Sequence, residues 1–142
     1  MNSKQNDQGS QKPLISICIP VHNEASNIEV LYKRLDKLSA SMRDKCAMEF
    51  IFSDNHSDDE TWDILKTLAE KDTRIRVFKT KINSGNANAS VPRNLGIKYS
   101  KGDYCAFIDS DDIWNKDKLI NQINQLSNDK LLSCTATDIQ YG

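Results

Sequence analysis

Short apolar runs alternate along this chain with longer stretches whose apolar positions recur at helical spacing. Ile15 to Ile19 ("ISICI") is rich in β-branched residues and runs into Pro20, which cannot donate to a ladder, so a first strand is expected to close there. Ile28, Leu31, Tyr32, Leu35 and Leu38 follow with helical period. Ser26 and Glu29 precede them in the S-x-x-E order of a capping box, which predicts a helix from about Ser26 to Met42. "EFIFS", Glu49 to Ser53, reads as a second strand. A second S-x-x-E box, Ser57 and Glu60, leads into a helix whose face is Trp62, Leu65, Leu68 and Ala69. "IRVFK", Ile75 to Lys79, is a third strand.

Thr80 to Ala89 is too rich in Asn, Ser and Gly for a core element and reads as a polar connection. Ser90 and Pro92 open a further helix, continued by Leu95, Ile97 and Tyr99 and stopped at Lys101-Gly102. "YCAFI", Tyr104 to Ile108, is expected to be a fourth, buried strand. Asn115 then caps a helix with Leu119, Ile123 and Leu126 on its buried face, and Leu132 to Tyr141 reads as a fifth strand. The strict alternation of strand and helix implies an α/β fold: a mostly parallel sheet with helices on both faces, in three layers. Ligands in such folds lie at the carboxyl ends of the strands.

Length and charge narrow the picture. With 142 residues the chain supports one domain with a real core, expected over residues 13–142 behind a polar, mobile tail at 1–12. Nineteen Lys and Arg against twenty Asp and Glu leave a net charge of -1, so no global field draws the protein to nucleic acid. The four cysteines are widely separated and include no C-x-x-C pair, and Cys18 and Cys105 sit in apolar runs where a thiol acts as a small hydrophobe. This fits a reducing compartment and argues against structural zinc. No apolar span approaches the roughly 20 residues of a membrane helix. A cytoplasmic protein is expected, with peripheral association at the inner face of a membrane left open.

The unusual residues fall just after strands one, two and four: "PVHNE" (Pro20 to Glu24), "SDNHSDDET" (Ser53 to Thr61) and "DSDDIW" (Asp109 to Trp114). Each has an ordinary explanation as a turn or cap, and for Ser57 to Glu60 capping is the favoured one. Asp109, Asp111 and Asp112 are crowded enough to oppose one another's ionisation unless a cation compensates. A hard divalent ion, Mg2+ or Mn2+, suits such oxygen donors and commonly uses one or two carboxylates with phosphate and water. A D-x-D pattern alone is equally a solvated turn; its place at the mouth of a strand favours the metal. In "NSGNANASVPRNLGI", Gly85 and its neighbours offer backbone donors and Arg93 a fixed cation near a helix start, which suits an anion. The plain alternative pairs Arg93 with a surface carboxylate. His22 and His56 have no partner at metal spacing and read as contact or turn residues.

Taken together, "ISICIPVHNE", "EFIFSDNHSDDET" and "NSGNANASVPRNLGIKYSKGDYCAFIDSDDIW" resemble the N-terminal half of family 2 glycosyltransferases, which have the Rossmann-like GT-A fold. The resemblance runs from about Pro13 past Lys118 and implies a nucleotide-sugar donor, UDP-linked donors being favoured. It implies that Pro20, His22, Glu24, Asp54 and Asn55 hold the base and ribose. Asp54-Asn55 stands where many members carry two acidic residues, and Pro92 replaces the usual small residue before the family's arginine, Arg93. It further implies that Asp109, Ser110, Asp111 and Asp112 bind ribose and the metal bridging the diphosphate, with Asp111 and Asp112 as chief metal ligands and Asp109 supporting.

The implied reaction is an inverting transfer to a hydroxyl of a saccharide or to a lipid-linked, polyprenyl-phosphate acceptor, in cell-surface polysaccharide or glycoconjugate synthesis. The general base is expected beyond Gly142, so the chain is expected to be a C-terminally truncated, donor-binding half. Two other readings compete. One is a Mg-dependent phosphatase, whose D-x-D normally follows the first strand rather than the fourth. The other is a non-catalytic nucleotide-binding module that retains the donor half alone.

Overall fold

The computed structural model describes residues 11–85 and 88–136. In chain order the elements are β1 (Leu14–Val21), α1 (Ala25–Met42), β2 (Ala47–Asp54), α2 (Thr61–Lys71), β3 (Ile75–Lys79), α3 (Ser90–Tyr99), β4 (Tyr104–Phe107) and α4 (Lys118–Asn128). The strands form one parallel sheet in the order β3-β2-β1-β4. Two compact units are present, Met1–Ser110 with the whole sheet, and Asp111–Gly142 with α4.

Strand alternation sorts the side chains of the first unit onto two faces. Ile15, Ile17 and Ile19 of β1 and Phe50 and Phe52 of β2 are fully buried on one face. Helices α1 and α2, packed against each other, supply Ile28, Leu31, Leu35 and Leu65 to the core. The other face carries Ser16, Cys18, Glu49, Ile51 and Ser53 and is covered by α3. This helix lies so close at Gly96 that a Cβ there would meet Cys18 Cβ at 3.1 Å and Ser53 Oγ at 3.4 Å. Helices on both faces of a parallel sheet make the expected three layers.

A buried polar knot at the amino end of the sheet holds α3 and the α3–β4 turn down. The Glu49 carboxylate accepts hydrogen bonds from Ser16 Oγ (2.6 Å), Lys101 N (2.7 Å) and Arg76 (3.2 Å). Arg76 also donates to the Tyr99 carbonyl at 2.6 Å, and Gly102 N donates to Ser16 Oγ at 2.8 Å. Burial pushes the Glu49 pKa up, but these donors outweigh it and hold the group below its ordinary value.

Several expectations need correction. Pro20 does not close β1, which continues to Val21. Cys18 O faces β4, where it accepts from Ile108 N, so Pro20, two residues on, faces the same side, beyond the last registered pair with β4. β4 is not a buried strand: it pairs only with β1 among the described residues, and Cys105 and Phe107 are exposed. Neither S-x-x-E box caps its helix through a side chain; α1 starts at Ala25 and α2 at Thr61. Of the expected fifth strand, residues 132–136 are not in a strand, and Thr137 to Tyr141 lie outside the described residues. In the second unit Asn115 does not cap α4, whose N-cap position is Asp117 with no side-chain cap; Asn115 instead holds the preceding turn, accepting from Asp117 N with its side chain and from Lys118 N with its carbonyl. Leu119 and Ile123 are the buried positions of α4.

Candidate functional site

The parallel register brings the carboxyl ends of three strands side by side, Val21 opposite Asp54 and Asp54 opposite Lys79. Beyond these ends the chain turns sharply. Asn23 and His56, each two residues past its strand, both take the left-handed conformation at φ 54°, a state that costs non-glycine residues energy unless surrounding bonds enforce it.

Those bonds run between the two loops. Asn23 N donates to Ser57 Oγ at 2.9 Å, and Asp58 N donates to Asn23 Oδ1 at 2.9 Å. Glu24 N donates to Thr61 Oγ1 (2.8 Å) and Ala25 N to Asp59 Oδ2 (3.2 Å). The first backbone donors of α1 are therefore satisfied by side chains of the β2–α2 loop rather than by Ser26. Burial raises the Asp59 pKa slightly, and hydrogen bonds from Thr61 and Ala25 outweigh it to leave the group lowered. The favoured capping role for Ser57 is also corrected: its hydroxyl donates to Asp54 Oδ1.

Asp54 is fully buried, and its carboxylate is engaged by Ser57 N and Oγ and by Lys79 Nζ at 3.6 Å. Lys79 in turn lies over the Trp62 ring, 5.1 Å from its centroid. Asn55 is buried as well, and its amide faces the β3–α3 connection. Ser84 N donates to Asn55 Oδ1 at 3.0 Å, Thr80 Oγ1 lies 3.3 Å from the same oxygen, and Asn55 Nδ2 donates to Asn83 Oδ1 at 3.4 Å. Its backbone reaches the first loop: Asn55 N donates to Val21 O, and His22 Nδ1 lies 3.0 Å from Asn55 O. A carbonyl only accepts, so Nδ1 carries the proton in that bond.

Arg93, in the first turn of α3, forks onto Asp109, with Nη2 2.7 Å from Oδ1 and 3.0 Å from Oδ2. Both are well exposed, at 38% and 44%. The cation expected to meet an anion and the first acidic residue of the D-x-D region therefore neutralise each other in this structure. Glu24 accepts from Asn27 Nδ2 at 2.6 Å, and Ser110 is buried. Asp111 and Asp112, at the start of the second unit, are exposed.

No three His, Cys, Asp or Glu side chains among the described residues converge into a ready cluster for a metal. Mg2+ and Mn2+ do not need one, because one or two carboxylates with phosphate oxygens and water complete their shell. Two exposed neighbouring carboxylates, Asp111 and Asp112, fit that donor chemistry.

The structure thus gathers His22, Asp54 and Asn55 at one edge and pairs Arg93 with Asp109. Asp54 and Asn55 lie beneath the surface with their polar atoms engaged. Sequence reasoning missed Lys79, because the sheet order that sets the end of the third strand beside that of the second is not written in the sequence. It also missed Thr80, Asn83 and Ser84, whose polar character marked a loop but not its clasp on Asn55.

The chain resembles known proteins in sequence and in fold. The signature of Glycosyl transferase family 2 matches residues 16–142. An uncharacterized glycosyltransferase of Haemophilus influenzae is 38% identical over 112 residues, 79% of this chain and 42% of that protein. The Escherichia coli UDP-Glc:alpha-D-GlcNAc-diphosphoundecaprenol beta-1,3-glucosyltransferase WfaP is 36% identical over 118 residues, 83% of this chain and 43% of the relative. The mannosyltransferase PcManGT from Pyrobaculum calidifontis, solved in complex with GDP-Man and Mn2+, shares the fold with a TM-score of 0.65 at 24% identity. It is matched over 83% of this chain and 33% of its own. The chain spans less than half the length of each.

Proposed function

The chain belongs to glycosyl transferase family 2, and from that premise we propose that it is the donor-binding part of an enzyme that transfers a sugar from a nucleotide-diphosphate sugar, UDP-linked for preference. The observation that carries the reading is the register that aligns Val21, Asp54 and Lys79 and so stacks three polar loops along one sheet edge. A parallel sheet binds its ligands at that edge. The phosphatase alternative falls with the family assignment.

On this reading the nucleoside lies against the ends of β1 and β2, shaped by Pro20 and Glu24. His22 offers Nε2 to the nucleoside. Asp54 and Asn55, being buried and engaged, act by holding Lys79, Ser57 and the 80–84 segment in place. Arg93 exchanges Asp109 for the diphosphate, a charge-assisted contact at a helix start. Ser110 and Asp109 support the ribose side. Asp111 and Asp112 hold Mg2+ or Mn2+, which when bound offsets negative charge on the departing diphosphate.

The acceptor is a saccharide hydroxyl or a lipid-linked polyprenyl phosphate in cell-surface polysaccharide synthesis; the name of WfaP, which gives a GlcNAc-diphosphoundecaprenol acceptor, supports a lipid-linked saccharide. No helix among the described residues is long and apolar enough to cross a membrane. The general base is assigned to no residue of this chain.

Isothermal titration with UDP and GDP, with and without Mn2+, tests the donor site. Binding should strengthen with Mn2+, and Asp111→Ala should remove that gain. If neither nucleotide binds better with metal, and Asp111→Ala changes nothing, the assignment is wrong.

A further inference from the structure

We propose that Cys18 and Cys105 are an oxidisable pair, in which a peroxide converts the two thiols into a disulfide joining β1 to β4. The two sulfurs lie 3.3 Å apart, beside the Ser100 hydroxyl. Neither thiol has a part in the donor site, which lies around the strand ends and Arg93.

Cys18 is opposite Phe107 and Cys105 opposite Ser16, so the two cysteines are diagonal neighbours on adjacent strands. Diagonal pairs lie about 7–8 Å apart at the backbone, beyond the span a disulfide usually bridges, so closing the bond requires one strand to shift. Here the side chains have already spanned most of that gap. A disulfide needs sulfurs about 2.05 Å apart, so a further approach of about 1.2 Å closes the bond. β4 is four residues long and pairs only with β1 among the described residues, so it is the strand able to yield.

The pair is also asymmetric. Cys18 is buried beneath α3, whereas Cys105 is exposed to reagents. The hydrogen bond from Cys18 is the main influence drawing the Cys105 pKa down to about 6, against burial, while Cys18 is raised by the same bond and by its own burial. Cys105 is therefore the attacking thiolate and Cys18 the resolving thiol.

In the first step the Cys105 thiolate attacks a peroxide oxygen. An S–O bond forms, the O–O bond breaks, and the departing hydroxide takes a proton to become water. In the second step the Cys18 sulfur attacks the Cys105 sulfenic sulfur and gives up its proton. The S–S bond forms, the S–O bond breaks, and a second water leaves. The two thiols lose two electrons to hydrogen peroxide, and thiol reductants reverse the change.

The test treats the 142-residue chain with hydrogen peroxide, blocks remaining thiols with N-ethylmaleimide and maps the peptides by mass spectrometry. A Cys18–Cys105 cross-linked peptide is expected, lost on treatment with dithiothreitol. In Cys18→Ala, Cys105 should instead be trapped as a sulfenic acid by dimedone. A second readout is the wild-type rate of Cys105 alkylation by iodoacetamide at pH 6, expected to be about tenfold that of an ordinary cysteine peptide after allowing for the lower nucleophilicity of a weaker base. Oxidation of Cys105 to the sulfinic acid without the cross-link, pairing with Cys134 instead, or an alkylation rate equal to the peptide's would each overturn the proposal.

Discussion

Replacing Arg93 with alanine should separate stability from ligand binding. The guanidinium makes two short contacts to Asp109, yet both residues are more than a third exposed. Ion pairs in such surroundings contribute about 0.2–1 kcal/mol, less in salt, because water competes for both charges. Loss of the pair should therefore move the urea midpoint of the chain by less than about 1 M, given a slope of about 1–3 kcal/mol per M. A diphosphate presents several charged acceptors to the same fork. A hydrogen bond between charged partners is worth about 1.5–3 kcal/mol, so Arg93→Ala should weaken nucleotide binding about 10- to 100-fold. Titration calorimetry with UDP and Mn2+ reads the second quantity and urea unfolding by circular dichroism the first. Arg93→Lys should recover only part of the affinity, since it keeps the charge and loses the fork. Unchanged affinity in Arg93→Ala would refute the exchange of Asp109 for phosphate. A stability loss large enough to account for weaker binding would show instead that Arg93 is a structural residue.

Three further outcomes follow from the first unit. At Gly102 a Cβ would sit 2.7 Å from Leu14 O, Ser16 N and Ser16 Oγ, so Gly102→Ala should lose about 1–3 kcal/mol in urea unfolding, and wild-type stability would contradict that close approach. Glu49→Gln sets an amide against Arg76 in a buried site, so a loss of about 2 kcal/mol is expected by the same measurement, and a neutral result would mean that the polar knot is dispensable. Asp72, hydrogen-bonded chiefly by Arg74, has its pKa lowered to about 2. A lowered carboxylate stabilises the fold above its unfolded value, about 3.9, and that contribution disappears as pH falls through the folded value. Arg74 is 33% exposed, which reduces the effect to about 1–2 kcal/mol. Asp72→Asn should flatten the decline in stability between about pH 4 and pH 2, and an unaltered acid limb would reject the link.

The strands and helices were legible because burial writes its period into the chain. The isoleucines of β1 and the leucines of α1 could serve only one face each. What could not be read locally was determined by partners remote in sequence. Ser26 stood in the right place to cap α1, but Ser57, Asp59 and Thr61 surround that turn from another loop. Glu49 looked like an ordinary first residue of a strand, and its partners lie up to 52 positions away. The polar strand ends were visible as motifs, while the inward turn of Asp54 and Asn55 depends on Lys79 and Ser84, which composition alone did not single out. Likewise "YCAFI" has the composition of an interior strand, and only its position in the sheet order makes it an edge among the described residues.

The crossed bonds between the first two loops also limit how this edge can be altered. Asn23 and Asp58, Glu24 and Thr61, and Ala25 and Asp59 each place a donor on one loop and its acceptor on the other. A chimera that keeps residues 22–25 but takes 55–61 from a relative lacking Ser57, Asp59 and Thr61 would leave the backbone donors of Asn23, Glu24 and Ala25 without these acceptors. The two loops are thus a single transplantable cassette, to be moved between relatives only together.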